Sequence, residues 1–179
     1  MKILKYVGLI VLIIIAIPLI SALFISKDYG VVEKIIIERP IAEVYEFTKY
    51  LKNQDQFSKW ALMDPEMEKY YEGEDGTVGF VAGWKSENPD VGHGEQEILA
   101  IKEMERIDYE LRFIEPFEST DKAYLAYEPL GPNQTEVTWG FEGHMSYPMN
   151  VMIPLMNIEN MLAEDFQTGL SNLKKIMEK

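Results

Sequence analysis

The side chains that could do chemistry are few, and their spacing is informative. There are two histidines, His93 and His144. Each has a carboxylate two positions away, Glu95 and Glu142, so on strands each pair projects from one face. A metal needs three or four converging ligands. Here both histidines and a carboxylate would have to meet across distant strands, so the reading is ordinary surface or turn histidines, with no metal and no cofactor. The chain has no cysteine, which excludes thiolate nucleophiles, disulfides and Cys-based zinc sites. General acid–base chemistry needs a buried carboxylate held out of its normal range. The acids on the alternating segments mostly take the outward phase, which argues against catalysis. Tyr109, Tyr127 and Trp139 alternate inward. They either orient a ligand through O–H or N–H, or serve as plain packing. The Asn133-Gln134-Thr135 sequon carries no weight.

Charge narrows the partners. The formal charge is −13, and no acid precedes Asp28, whereas Lys2 and Lys5 do, so the remainder is more acidic still. Without a basic stripe there is no case for nucleic-acid binding. The acidity reads as solubility.

These residues have to be positioned by elements, and the first is a membrane segment. Residues 6–26 carry no charged side chain. At about 1.5 Å per residue the run crosses roughly the 30 Å hydrocarbon core. A cleaved signal peptide has a shorter apolar region and a small-x-small site; here Leu19 and Ile20 occupy positions that should be small. Residues 1–26 are therefore expected to be an uncleaved single-pass anchor, 27–31 a short linker and 32–179 the domain. Lys2, Lys5 and the amino terminus put the N-terminus in the cytoplasm and the domain on the extracytoplasmic side.

Val31–Glu38 is rich in β-branched residues and predicts a strand. Pro40 suits a first helical position, and Val44, Phe47, Thr48 and Leu51 predict a helix over Ile41–Leu51. Six alternating runs then fill the chain from Met67. In one of them Ile107, Tyr109, Leu111 and Phe113 alternate with Asp108, Glu110 and Arg112, the pattern of a strand with one wet face. Phe80, Ala82 and Trp84 share a face in another run, and Val137, Trp139 and Phe141 in the last. The final segment carries Leu162, Phe166, Gly169, Leu170, Leu173 and Ile176 on one helical stripe, with acids early and lysines late as the helix dipole favours. Gly169 costs about 1 kcal/mol against Ala in a helix. Its missing side chain either lets the sheet approach or leaves room for a ligand. Five of the ten methionines fall between Met145 and Met161, alongside Pro148 and Pro154. Methionine fills adaptable apolar surfaces. Tyr147–Asn160 is read as a lid over a cavity mouth or a face dipping into lipid, the alternative being a buried loop.

The expected fold class is α+β: a curved antiparallel sheet wrapped around a long C-terminal helix, the helix-grip arrangement, preceded by one transmembrane helix. Trp60 with Asp64-Pro65, Tyr71-x-Gly73, Gly76-x-x-Gly79, Trp84, Gly92-x-Gly94, Phe113-x-x-Pro116-Phe117, Thr135-x-Val137-x-Trp139, Gly143 and Phe166-x-x-Gly169-Leu170-x-x-Leu173-Lys174 together resemble the SRPBCC proteins, START-like domains of polyketide cyclase/dehydrase type. The likeness runs from about Val31 to Lys179. It implies a deep cavity between sheet and helix that takes lipids, sterols, polyketides or other hydrophobic molecules. A minority of members catalyse cyclisation or dehydration, and many bacterial members have no assigned function. The expected role is binding of a small hydrophobic or lipid-like molecule beside a membrane, without catalysis. Strand phase and the helix stripe give the expected lining: Phe80, Trp84, Tyr109, Leu111, Phe113, Leu125, Tyr127, Trp139, Phe166, Gly169 and Leu170. One alternative is an enzyme acting on an apolar substrate in the same cavity, marked by a buried titratable group facing it. The other is a protein-interaction module whose cavity is filled by its own side chains.

Overall fold

A computed structural model describes residues 2–179; Met1, the first residue of the expected anchor, lies outside them. The chain opens with helix α1 (Lys2–Ala22), then strand β1 (Asp28–Ile37), helix α2 (Ile41–Thr48), a 3₁₀ turn (Leu51–Gln56) and helix α3 (Lys59–Met63). Six strands follow: β2 (Glu68–Glu72), β3 (Val81–Lys85), β4 (His93–Lys102), β5 (Arg106–Glu115), β6 (Ser119–Gly131) and β7 (Gln134–His144). A 3₁₀ turn (Met149–Val151) and helix α4 (Met152–Leu155) lead into helix α5 (Ile158–Met177). The seven strands form one antiparallel sheet in the order β1-β7-β6-β5-β4-β3-β2. This is the α+β helix-grip arrangement, with α5 against the concave face.

Local differences from the sequence reading have physical causes. The 27–31 segment is mostly strand, because Asp28 already pairs with His144 and Val31 with Phe141. Pro40 is the N-cap of α2 rather than its first residue, a one-residue difference of the kind helix ends commonly show. The helix stops at Thr48 instead of Leu51. The Thr48 hydroxyl donates to the Val44 carbonyl at 2.8 Å, and the Asn53 side chain donates to the Phe47 carbonyl. The Asp75 carboxylate accepts from the Leu51 and Lys52 N–H groups and starts the 3₁₀ turn. Side chains thus take over the terminal carbonyl and N–H groups that a longer helix would have bonded internally. β3 begins at Val81, so Phe80 precedes the strand rather than belonging to it; it is buried and stacked on Tyr71.

The registers give the sheet two distinct ends. Asp28 faces His144, Phe113 faces Ser119, and Lys85 faces His93, which in turn faces Glu115. These pairs lie at one end. Ile37 faces Thr135, Tyr127 faces Val137 and Ile107 faces Leu125 at the other. α5 runs from the first end to the second: the Glu178 carboxylate just beyond it accepts from Glu38 N–H at 2.7 Å, and Lys174 donates to the Ile36 carbonyl. The second end is solid. There Val44, Tyr45 and Thr48 of α2 fill the space between sheet and helix, against Ile107, Tyr109, Leu125, Tyr127, Val137, Leu170 and Leu173.

Candidate functional site: a cavity at one end of the grip

At the first end the same strands and the same helix stand apart and enclose a cavity of about 430 Å³. That lies within the roughly 300–1,000 Å³ typical of small-molecule sites. β3 supplies Ala82 and Trp84, β5 Leu111 and Phe113, β6 Asp121 and Ala123, β7 Trp139 and Phe141, and α5 Ile158, Leu162 and Phe166. Leu51, Trp60 and Ala61 close the side, and Val91, Pro116 and Phe117 form part of the wall from the strand-connecting loops. The lining is predominantly apolar. Its floor is aromatic: Trp139 and Phe166 are stacked with centroids 4.7 Å apart, Phe57 meets Trp139 edge-on at 5.8 Å, and Trp60 meets Phe166 edge-on at 5.7 Å.

Two glycines let large rings into these positions. A Cβ on Gly169 would lie 2.9 Å from the Trp139 ring. Of the two readings of Gly169, the close approach of the sheet is the one realised, since the absent side chain makes room for the indole. A Cβ on Gly94 would lie 2.6 Å from the Trp84 ring. Bare Gly94 lets Trp84 lie flat across β4, where its indole N–H donates to the Val91 carbonyl.

Of the eleven expected lining residues, Trp84, Leu111, Phe113, Trp139 and Phe166 border the cavity. Phe80, Tyr109, Leu125, Tyr127, Gly169 and Leu170 do not. The six share the inward face, but apart from Phe80 they sit nearer the solid end or, at Gly169, beneath the Trp139 ring. Strand alternation specifies a face and not a distance along it. Tyr127 and Tyr109 illustrate the result: the Tyr127 hydroxyl is 2.7 Å from Thr48 Oγ1, and the buried Tyr109 hydroxyl has no partner among the described residues. Burial raises the pKa of both, so both stay protonated in ordinary buffers.

Polar groups are few and placed around the walls. Asp121, only 4% exposed, occupies the inward phase of β6, which the sequence reading did not single out. One carboxylate oxygen accepts from the Ser119 hydroxyl at 2.8 Å and the other from His144 N–H at 3.1 Å. Both carboxylate oxygens are thus satisfied by hydrogen bonds. The alternation Ser119, Asp121, Ala123, Leu125 was the available signal, because it puts an acid in register with core residues. Tyr29 also borders the cavity; burial, with the Asp121 charge second, pushes its hydroxyl up to about 12. Tyr71 is pushed to about 12 by burial and then by Asp55, to which its hydroxyl donates at 3.3 Å. Asp55 is also 3.0 Å from Lys69 Nζ. Glu115 at the end of β5 also borders the cavity, and the remaining acids of the middle strands lie outward. Arg112 binds Glu95, Glu97 and Glu110 there, and Glu95 is held below the usual carboxylate range first by the Tyr70 hydroxyl and then by Arg112.

His144 lies outside this lining, with Nδ1 2.6 Å from Asp28 Oδ1. Among the described residues no three His, Asp or Glu side chains converge as a metal site would require.

A family model described as polyketide cyclase / dehydrase and lipid transport matches residues 30–178. The chain belongs to that family. The match covers the sheet and α5 and excludes α1. No curated protein matches the sequence. Solved structures give the fold alone. Truncated norcoclaurine synthase from Thalictrum flavum matches with a TM-score of 0.59 at 9% identity, covering 83% of this chain and 92% of its own. Ara h 8.0201 matches with a TM-score of 0.57 at 13% identity, covering 84% and 97%. The Aha1 dimer from Colwellia psychrerythraea matches with a TM-score of 0.57 at 10% identity, covering 84% and 96%.

The helix outside the match is long and apolar. Its Lys5–Ala22 stretch has a mean hydropathy of 2.4, and 6% of it is buried. That satisfies the length and composition of a membrane span and equally of a signal sequence.

Proposed function

We propose that this protein binds a small hydrophobic, lipid-like molecule in the cavity between sheet and α5 while α1 anchors it in a membrane. In this reading residues 1–26 are the retained anchor and the binding domain, which begins with β1 at Asp28, is held on the extracytoplasmic side. Cavity-lining Trp84, Leu111, Phe113, Trp139 and Phe166, together with Trp60, Ala123, Phe141 and Leu162, contact the ligand. The observation that carries the reading is the open volume of about 430 Å³ behind an apolar wall, in a chain whose other end is filled. A module whose interior is plugged by its own side chains would have no such space. Tyr29 remains protonated at neutral pH and supplies a hydrogen-bond donor to an otherwise apolar guest.

The test is extraction and mass-spectrometric identification of molecules that co-purify with the full chain, alongside displacement of an apolar fluorescent dye. Leu111→Trp, which takes up part of the cavity, should weaken dye binding at least tenfold and reduce the co-purifying material. A chain that carries nothing and binds no dye would overturn the reading.

A second reading, catalysis on an apolar substrate, is favoured by one observation: Asp121 is a buried titratable group at the cavity wall, beside Tyr29. One structural neighbour is by name a synthase. Asp121→Asn separates the readings. It should leave dye binding intact in a carrier and remove turnover in an enzyme.

A further inference from the structure

The open end of the grip is also the end at which α1 arrives, and the junction is built. Asn150 is fully buried, and its Nδ2 donates to the Ala22 carbonyl at 2.7 Å and to the Ile25 carbonyl at 2.9 Å. Helix C-termini leave their last carbonyls without internal partners, and Asn150 takes one of these and one just beyond. Ala22 is itself only 2% exposed, and Met145 N–H donates to the Lys27 carbonyl at 2.8 Å. Cleavage at the end of α1 would strip a buried amide of its Ala22 acceptor, and cleavage beyond Ile25 would strip it of both, a costly state. The domain therefore contains a socket for the end of its own apolar helix.

The segment that forms the socket has an unusual composition. Residues 145–158 contain no charged side chain, in a protein of net charge −13. Asn150 and Ile153 turn inward, whereas Leu155 is 73% exposed and Met149, Met156 and Tyr147 are exposed as well. Phe24, just past α1, is 85% exposed. The two ends of the segment, Met145 and Ile158, line the cavity. An acidic domain is repelled by anionic head groups within a Debye length. The charge-free face is the one that can meet a bilayer without that penalty, and it is continuous with the helix that enters the bilayer.

We propose that residues 145–158 form a lipid-contacting face, locked to the end of α1 by Asn150, so that the cavity exchanges its ligand directly with the acyl-chain region of the membrane. The ligand class is then a membrane-dissolved amphiphile instead of a freely soluble apolar molecule. This rests on reading α1 as a retained membrane span.

The absence of native cysteine makes the test direct. Single substitutions Met156→Cys, Lys102→Cys at the far turn and Val11→Cys within α1 are each labelled with an environment-sensitive fluorophore. The full chain is then reconstituted in phosphatidylcholine vesicles containing nitroxide lipids. The label at position 156 should be quenched at least threefold more strongly than that at 102. Adding Asn150→Ala, or Leu155→Asp where that variant misfolds, should reduce the quenching at 156 and slow transfer of a fluorescent fatty acid between vesicles. Strong quenching at 11 with equal, weak quenching at 156 and 102 overturns the lipid-contacting face while leaving the anchor intact. No quenching at 11 overturns the anchor and the face together.

Discussion

At the solid end of the grip, Ile107, Leu125, Tyr127 and Val137 meet Leu170 and Leu173 through a filling layer from α2. At the open end, Leu111, Phe113, Ala123 and Phe141 come from the same strands and Leu162 and Phe166 from the same helix, yet they face one another across about 430 Å³. Residue type does not separate the two sets, since both are aromatic and aliphatic on the same inward phase. What separates them is α2: Val44, Tyr45 and Thr48 occupy at one end the space that stays empty at the other. The stacked Trp139–Phe166 pair is the partition between them. One end of the molecule thus serves stability and the other leaves room for a guest. Substitutions at the two ends should have opposite signatures.

The largest expected effect is at the solid end. Leu170→Ala should destabilise the fold by about 2–5 kcal/mol, the usual cost of a buried leucine truncated where neighbours cannot collapse. Denaturant melts would measure it, and dye affinity per folded molecule should be unchanged. A loss of affinity in folded Leu170→Ala would mean that the partition does not isolate the two ends.

The converse change is next in size. Leu111→Trp at the open end should shift stability by less than about 1 kcal/mol, because the added ring enters empty space and not a close-packed core. It should weaken apolar-dye binding at least tenfold, about 1.4 kcal/mol. A large stability loss with unchanged binding would show that the space is not the ligand site.

This division also marks what was legible in the sequence. The six alternating runs and the helical stripe were readable because period 2 and period 3.6 are local properties. They placed Ile107 through Phe113, Val137 through Phe141 and Phe166 through Leu173 on the inward face. Which of these border the cavity was not readable, because it depends on where α2 ends along the sheet. That ending is set by the Thr48 hydroxyl, Asn53 and the distant Asp75 carboxylate, contacts with no periodic signature. Asp121 was readable in principle from its register with Ala123 and Leu125, but the general outward trend of acids concealed it. Asn150 carried no local signal at all, since its partners lie more than a hundred residues earlier.

A smaller effect tests whether the solid end depends on the hydroxyl pair of Thr48 and Tyr127. Tyr127→Phe removes the contact with Thr48 Oγ1 but leaves the Thr48 hydroxyl donating to the Val44 carbonyl. The expected cost is about 1 kcal/mol, the net value of one ordinary hydrogen bond. A cost above about 3 kcal/mol would mean that Thr48 had reoriented and been left without a partner.

Tyr109 should give the smallest change at neutral pH and the clearest one at high pH. Its hydroxyl is buried with no partner among the described residues, so Tyr109→Phe removes an unsatisfied polar group and should be neutral or stabilising by up to about 1 kcal/mol. Burial raises this tyrosine well above its ordinary value, and burial also raises Tyr127, with Tyr29 and Tyr71 pushed to about 12. Above about pH 10 the unfolded chain releases these protons and the folded chain does not, so the unfolded state is favoured. The contribution is fully present below that pH and is lost as pH climbs toward the folded values. Tyr109→Phe should therefore move the alkaline unfolding midpoint upward while leaving the melt at pH 7 nearly in place. An unchanged alkaline midpoint would show that the Tyr109 hydroxyl reaches water in the folded state, and that the solid end is less dry than the open one is empty.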